Sequence, residues 1–199
     1  MKESLITVIV TLVLSFTAQG QTPEEQFYSH LAHMSSEIKT LKGSFTQTKE
    51  FGALDVKVVS KGTFRYARNN EMRFDYTVPR VMSIVVNGNT VQIISGEKTT
   101  TYSWKGQKNA MAGIARIMNH CMKGQLHDLR TGYDLDYQNT GKNHKVTVRH
   151  LKDDPEDVFE SIELLFNGDR YALEEMVICE RSGYVTTYVF SGLTVELVR

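Results

Sequence analysis

The chain is poor in the residues that build covalently stapled or loop-dominated proteins. Two cysteines and three prolines in 199 residues give neither a disulfide framework nor a proline-rich linker. Cys121 and Cys179 either pair with each other in an oxidising compartment or stay as separate buried thiols. An excess of charge of one sign is also missing. The 23 Lys and Arg balance the 23 Asp and Glu, which excludes the basic surplus that a nucleic-acid partner calls for. Catalytic signatures are absent as well. There is no GxSxG elbow, no zincin spacing, no Cys/His arrangement and no phosphate-cradling glycine loop, so the expectation is a protein without enzymatic activity, metal or cofactor. His120, Cys121 and His127 are close in sequence but lack the spacing of zinc ligands.

Long apolar runs are limited to one. "LITVIVTLVLSF", Leu5 to Phe16, makes a helix of roughly 18 Å, well short of the ~30 Å bilayer core. It follows a short charged start and precedes "AQG", which places Ala18 and Gly20 at the small positions of a cleavage site. Residues 1–20 therefore read as a signal peptide cut after Gly20. With no cysteine at that site, the mature protein is expected to be released, not lipid-anchored. Residues 21–199 carry no linker, repeat or low-complexity tract, and one domain is expected.

That domain opens with an amphipathic helix. In "TPEEQFYSHLAHMSSEIKTL", Thr22 is the N-cap, Pro23 the first helical residue and Glu25 the partner in a capping box. Phe27, Leu31, Met34 and Ile38 form its apolar stripe. From Gly43 onward the period is two. Ten or eleven short strands follow, separated by turn residues and joined by short connections, which predicts a mostly antiparallel meander. Asn87-Gly88 is the strongest hairpin signal. One helical interruption, Gly106 to Leu129, is rich in methionine.

Along the strands one face is strongly apolar. Phe64 and Tyr66 share it in one run, Met72, Phe74 and Tyr76 in the next, and Ile84 and Val86 after those. Lys57, Lys61, Arg65, Arg73 and Asp75 occupy the opposite face. A membrane barrel would present its apolar face to lipid, and these charges exclude that. Two readings of the apolar face remain. Either the strands and helices pack into a filled core, or the sheet curls round a ligand cavity that Met111, Ile114 and Met118 of the helical interruption help to cover. Tyr133, Leu135 and Tyr137 alternate with acids and belong to the same interior. Trp104 has no role beyond that of a fluorescence reporter.

Three stretches, "LKGSFTQTKEF", "SKGTFRYARNNEMRFDYTVPR" and "IVVNGNTVQII", together resemble the periplasmic outer-membrane lipoprotein carriers, the LolA-like family. Phe45 and Gln47 match its FxQ strand and Gly62 its strand-starting glycine. Phe74 to Pro79 match its aromatic-to-proline element, and Asn87-Gly88 its hairpin. The resemblance implies a mainly β fold, an incomplete, half-open antiparallel barrel of about eleven strands, with an N-terminal helix and a helical lid over an apolar cavity. It implies a periplasmic chaperone that shields the acyl chains of lipoproteins. Such a chaperone takes cargo from an inner-membrane lipoprotein-releasing transporter to an outer-membrane acceptor, as a monomer. Carriage of non-protein acylated lipids, or a lipoprotein-sensing regulatory role on the same fold, are the alternatives. Phe64, Tyr66, Met72, Phe74, Tyr76, Ile84, Val86, Met111, Ile114 and Met118 would then line the cavity, and Arg68 would be the lid latch. Asn69 stands where the family usually has proline. The chain ends at "TVELVR", without the further Phe-x-Phe-x-Pro strand of many members, which points to a specialised member.

Overall fold

The computed structural model describes residues 20–52, 55–68, 71–88, 90–103, 110–152 and 158–198, and at 110–112 the backbone only. Residues 1–19 of the expected signal peptide, Asn69, Trp104 and the Met111 side chain lie outside the described residues.

Helix α1 (Pro23–Glu37) starts as its sequence dictates. The Thr22 amide donates to the Glu25 carboxylate at 2.8 Å, and the Glu25 amide donates to the Thr22 hydroxyl at 3.2 Å. The capping box thus satisfies amides that the first helical turn leaves without partners. Phe27 and Leu31 are buried as expected, but Ile38 is not helical. It is extended (φ −77°, ψ 120°) and opens strand β1 (Ile38–Phe51) with no intervening loop. Pairing with Leu197 across the sheet gives this β-branched residue a strand environment that helical spacing alone does not reveal.

Eleven strands among the described residues form one antiparallel sheet. After β1 come β2 (Val56–Ala67), β3 (Glu71–Val78), β4 (Met82–Asn87), β5 (Thr90–Ser95) and β6 (Lys98–Ser103). Helix α2 (Ala110–Met122) and a 3-10 turn (Leu126–Thr131) interrupt the series. The second run is β7 (Tyr133–Asn139), β8 (Asn143–His150), β9 (Phe159–Asn167), β10 (Leu173–Glu180) and β11 (Tyr184–Leu197). Each run is a meander, and the two meet where β1 pairs with β11. Strands β6 and β7 form the two edges, so the sheet curls without closing into a barrel.

Alternation puts the predicted apolar set on one face. Register pairs Phe64 with Phe74, Tyr66 with Met72, Phe74 with Ile84 and Met72 with Val86. Phe64, Tyr66, Met72, Phe74, Tyr76 and Val86 are buried in one cluster that continues through Leu135 and Val148 of the other meander. On the opposite face Lys57, Lys61 and Arg65 are exposed, and Arg73 is paired with Asp75 at 2.8 Å.

The FxQ and glycine signatures acquire a physical meaning in this packing. Gly62 lies directly opposite Phe45, and a Cβ there would meet the Phe45 ring at 2.9 Å and overlap the Asp75 carbonyl. Phe45 therefore occupies the space that any side chain at 62 would need. Its ring packs edge-on against Phe74 and Tyr76 at 5.5 and 4.9 Å. Gln47 donates its side-chain amide to the Tyr188 hydroxyl at 2.8 Å, and the Tyr76 hydroxyl lies 3.1 Å from that of Tyr188. Burial pushes the Tyr188 phenol well above its ordinary value. Tyr188→Phe is expected to cost about 1–3 kcal/mol, because it strips the partner from Gln47 and Tyr76 inside the sheet. Chemical denaturation checks this. In ultraviolet titration the wild-type protein should retain one more un-ionised tyrosine than the variant at pH values above 10.

The cysteines are unbridged, so the paired alternative is not realised. Cys121 lies in α2 at 2% exposure. On β10 the inward residues are Met176 and Ile178, and Cys179 falls on the opposite face of the same strand. The sheet stands between the two thiols.

Candidate functional site

The space inside this half-barrel is at one end, between the helices and the seam that joins the meanders. Two backbone features bring the helices there. Gly124, in the left-handed region (φ +68°), lets α2 terminate through bonds from the Gly124 and Gln125 amides to the Cys121 and His120 carbonyls. It also lets the chain press against α1, where a Cβ would lie 2.6 Å from the Ala32 Cα. The bulge in β11 at Gly192 and Leu193 lies opposite Gly43 of β1, which similarly admits Leu193, whose Cδ2 would lie 2.6 Å from a Cβ at that position.

The result is a cavity of about 520 Å³, within the roughly 300–1,000 Å³ range of small-molecule sites. Leu31, Met34 and Ser35 of α1 form one wall, with Cys121 and Met122 at the end of α2. Ile38, Leu41 and Tyr66 line the β1–β2 side. Phe190, Leu193, Val195 and Leu197 line the β11 side, and Phe166 and Leu173 the β9–β10 side. A smaller recess shares Leu41, Met122, Leu173, Phe190 and Leu193 with this cavity and adds Phe64. The mouth is also apolar. Met34, Val195 and Leu197 are 37%, 50% and 54% exposed.

Of the ten residues expected to line a cavity, Tyr66 lines the larger space and Phe64 the recess. Met72, Phe74, Tyr76, Val86 and Met118 instead pack together in the filled core, with Ile84 and Ile114 packed half-buried against it. The apolar face is therefore filled core in one half of the molecule and borders open space in the other. Leu31 and Met34 belong to a stripe the sequence shows plainly. Leu41, Leu193, Val195 and Leu197 carry no such signal, because only the β1–β11 pairing brings them together.

Arg68 is exposed at the end of β2. Its amide donates to the Lys39 carbonyl at 3.0 Å. Burial raises the pKa of the neighbouring Tyr66, and the Arg68 charge opposes that rise. Among the described residues the Arg68 guanidinium makes no ion pair or side-chain hydrogen bond. Among them, too, no cluster of three His, Cys, Asp or Glu is arranged to hold a metal.

The loop between β9 and β10 completes the mouth and is docked by aromatic rings. The Tyr171 ring (φ +53° at its backbone) stacks on His144 at 5.2 Å and lies 5.4 Å from His30 of α1. The Tyr137 hydroxyl lies 2.9 Å from His144 Nδ1. Burial holds the His144 pKa below its ordinary value, against a hydrogen bond to the Gly168 backbone, and His30 adds to the depression. The unfolded chain therefore takes up this proton first as pH falls. Stability conferred by neutral His144 is present above about pH 6.5 and is lost as pH drops through the lower folded value. The melting temperature should decline between pH 7 and pH 5, and less steeply in His144→Gln.

A single open antiparallel sheet with an apolar cavity at one end and two helices against it defines the half-barrel class of fold. The chain belongs to the family of the outer membrane lipoprotein carrier protein LolA, whose family model matches residues 36–197. No curated protein sequence matches it significantly. Solved structures resemble the chain at very low identity. A DUF1329 family protein from Desulfovibrio piger matches with a TM-score of 0.51 and 7% identity, over 88% of this chain and 94% of that one. An uncharacterized conserved protein from Thermus thermophilus gives 0.50 and 8%, over 89% and 90%. A LolA superfamily protein from Nitrosomonas europaea gives 0.42 and 8%, over 86% and 94%. Among the described residues no helix is long and apolar enough to cross a membrane.

Proposed function

We propose that this protein is a periplasmic chaperone that shelters acyl chains in the cavity beneath α1 and α2 and carries them from the inner to the outer membrane. Lipoproteins are the cargo for which its family is named. The observation that carries the reading is the cavity itself, some 520 Å³ with mostly aliphatic and aromatic walls. Each CH₂ moved into it from water gains roughly 0.8 kcal/mol, so a long chain is retained without covalent chemistry. Cargo would come from an inner-membrane transporter and leave to an outer-membrane acceptor offering a better site. The latch role implied for Arg68 belongs to this proposal: its guanidinium, close to Tyr66, would gain partners on the helices in one state and give them up in the other.

Native mass spectrometry of the mature protein purified from the periplasm tests the reading. Triacylated peptides released from it support lipoprotein carriage, and free lipids support the alternative, a carrier of non-protein acylated lipids. An empty protein that also refuses added acylated ligands would overturn both.

A further inference from the structure

Two cations beside the cavity are unpaired among the described residues, Arg170 in its lining and Arg68 next to the lining residue Tyr66. Arg170 lines the cavity and is exposed. Its backbone is held in place, because Asn167 Oδ1 accepts from the Asp169 and Arg170 amides at 3.0 Å each. Among the described residues its guanidinium has no carboxylate partner. Arg68, equally unpaired among them, stands beside Tyr66, another lining residue. The acid in the lining, Glu174, accepts from the Asn167 side-chain amide at 2.9 Å. Glu196, near the mouth, is bound by Lys39 at 2.6 Å and by Thr40 at 3.1 Å. Asp169 is not part of the lining.

This arrangement is complementary to a ligand with an apolar chain and a negative end. The chain matches the walls. A guanidinium on the rim remains hydrated while the cavity is empty, and its planar fork of donors fits the two oxygens of a carboxylate or phosphate. We propose that the cavity takes an anionic acylated lipid, with its chain between the helices and the seam and its carboxylate or phosphate on Arg170. Arg68, beside Tyr66, adds attraction. The inference rests on the acyl-chain carriage proposed above and, within it, favours non-protein acylated lipids over lipoproteins as cargo.

Calorimetric titration of the mature protein with three palmitoyl ligands below their micelle concentrations tests it. Palmitate carries a carboxylate, palmitoyl lysophosphatidate a phosphate and monopalmitoylglycerol no charge. The expected result is at least tenfold tighter binding of one or both anions than of the neutral lipid. Tighter binding of lysophosphatidate would assign a phosphate headgroup, and tighter binding of palmitate a carboxylate. Arg170→Gln should remove the margin without weakening monopalmitoylglycerol, and Arg68→Gln should reduce it. Equal binding of all three ligands, or an Arg170→Gln variant that loses all three alike, would overturn the anion preference and leave acyl-chain carriage standing. Binding of none would overturn both.

Discussion

Leu193→Glu should abolish acyl-chain binding while the sheet stays folded. Leu193 is half-buried and lines both the large cavity and the recess beside it. In the wild-type protein it presents methyl groups to whatever enters. A glutamate there either keeps its charge and draws water into the cavity or gives up the charge at a cost of several kcal/mol. Either way the gain of roughly 0.8 kcal/mol per buried CH₂ is forfeited along that wall. The expected loss is at least a hundredfold in affinity, about 2.7 kcal/mol, measured by displacement of a fluorescent fatty acid. Circular dichroism should be unchanged, because the residue is only partly buried and not among the fully buried side chains. Leu193→Trp, which narrows the space without adding charge, should weaken binding in the same direction. Unchanged affinity in both folded variants would place acyl chains elsewhere. A charge at Phe64 would not make this distinction. At 3% exposure, it sits so deep in the aromatic core that the expected outcome is unfolding.

Gly62→Ala is the substitution expected to harm the fold most for its size. One added methyl would overlap the Asp75 carbonyl on the neighbouring strand and crowd the Phe45 ring. The carbonyl is backbone and cannot swing aside as a flexible side chain would. Either β2 and β3 separate locally, or Phe45 leaves its place against Phe74 and Tyr76. We expect a loss of about 3 kcal/mol, at the upper end for overpacking. For a domain of this size that lowers the melting temperature by roughly 6–12 °C, which scanning calorimetry would detect. The loss in the Phe45→Ala, Gly62→Ala double variant should be smaller than the sum of the two single losses, because the methyl crowds the ring that Phe45→Ala removes.

The fold was legible wherever it depends on local period and turn chemistry. Alternation in "GTFRYA" and "EMRFDYTV" identified the buried face residue by residue, and the capping box fixed the start of α1. The charges at 57, 61 and 65 marked the face turned to solvent. The cavity was not legible, for a reason particular residues make plain. Ile38 continues a helical stripe in sequence, yet it takes its conformation from Leu197, far along the chain. Leu193 and Leu41 read as ordinary strand residues until β11 pairs with β1. Periodicity identifies which side chains share a face but not where the two curled halves leave space between them. The residues picked from alternation alone therefore fell mainly in the filled half.

The pairing of β1 with β11 also bears on how the chain reaches its folded state. Each meander can form by zipping neighbouring strands, with short loops to close. The seam cannot. It joins Ile38 to Leu197 and Phe51 to Tyr184, so its closure entropy is that of a loop spanning most of the protein. High contact order of this kind slows folding. During synthesis the first meander is complete long before its partner strand exists, with the inward edge of β1 open to any other strand it meets. The cavity, built across that same seam, is the last part of the molecule to come into being.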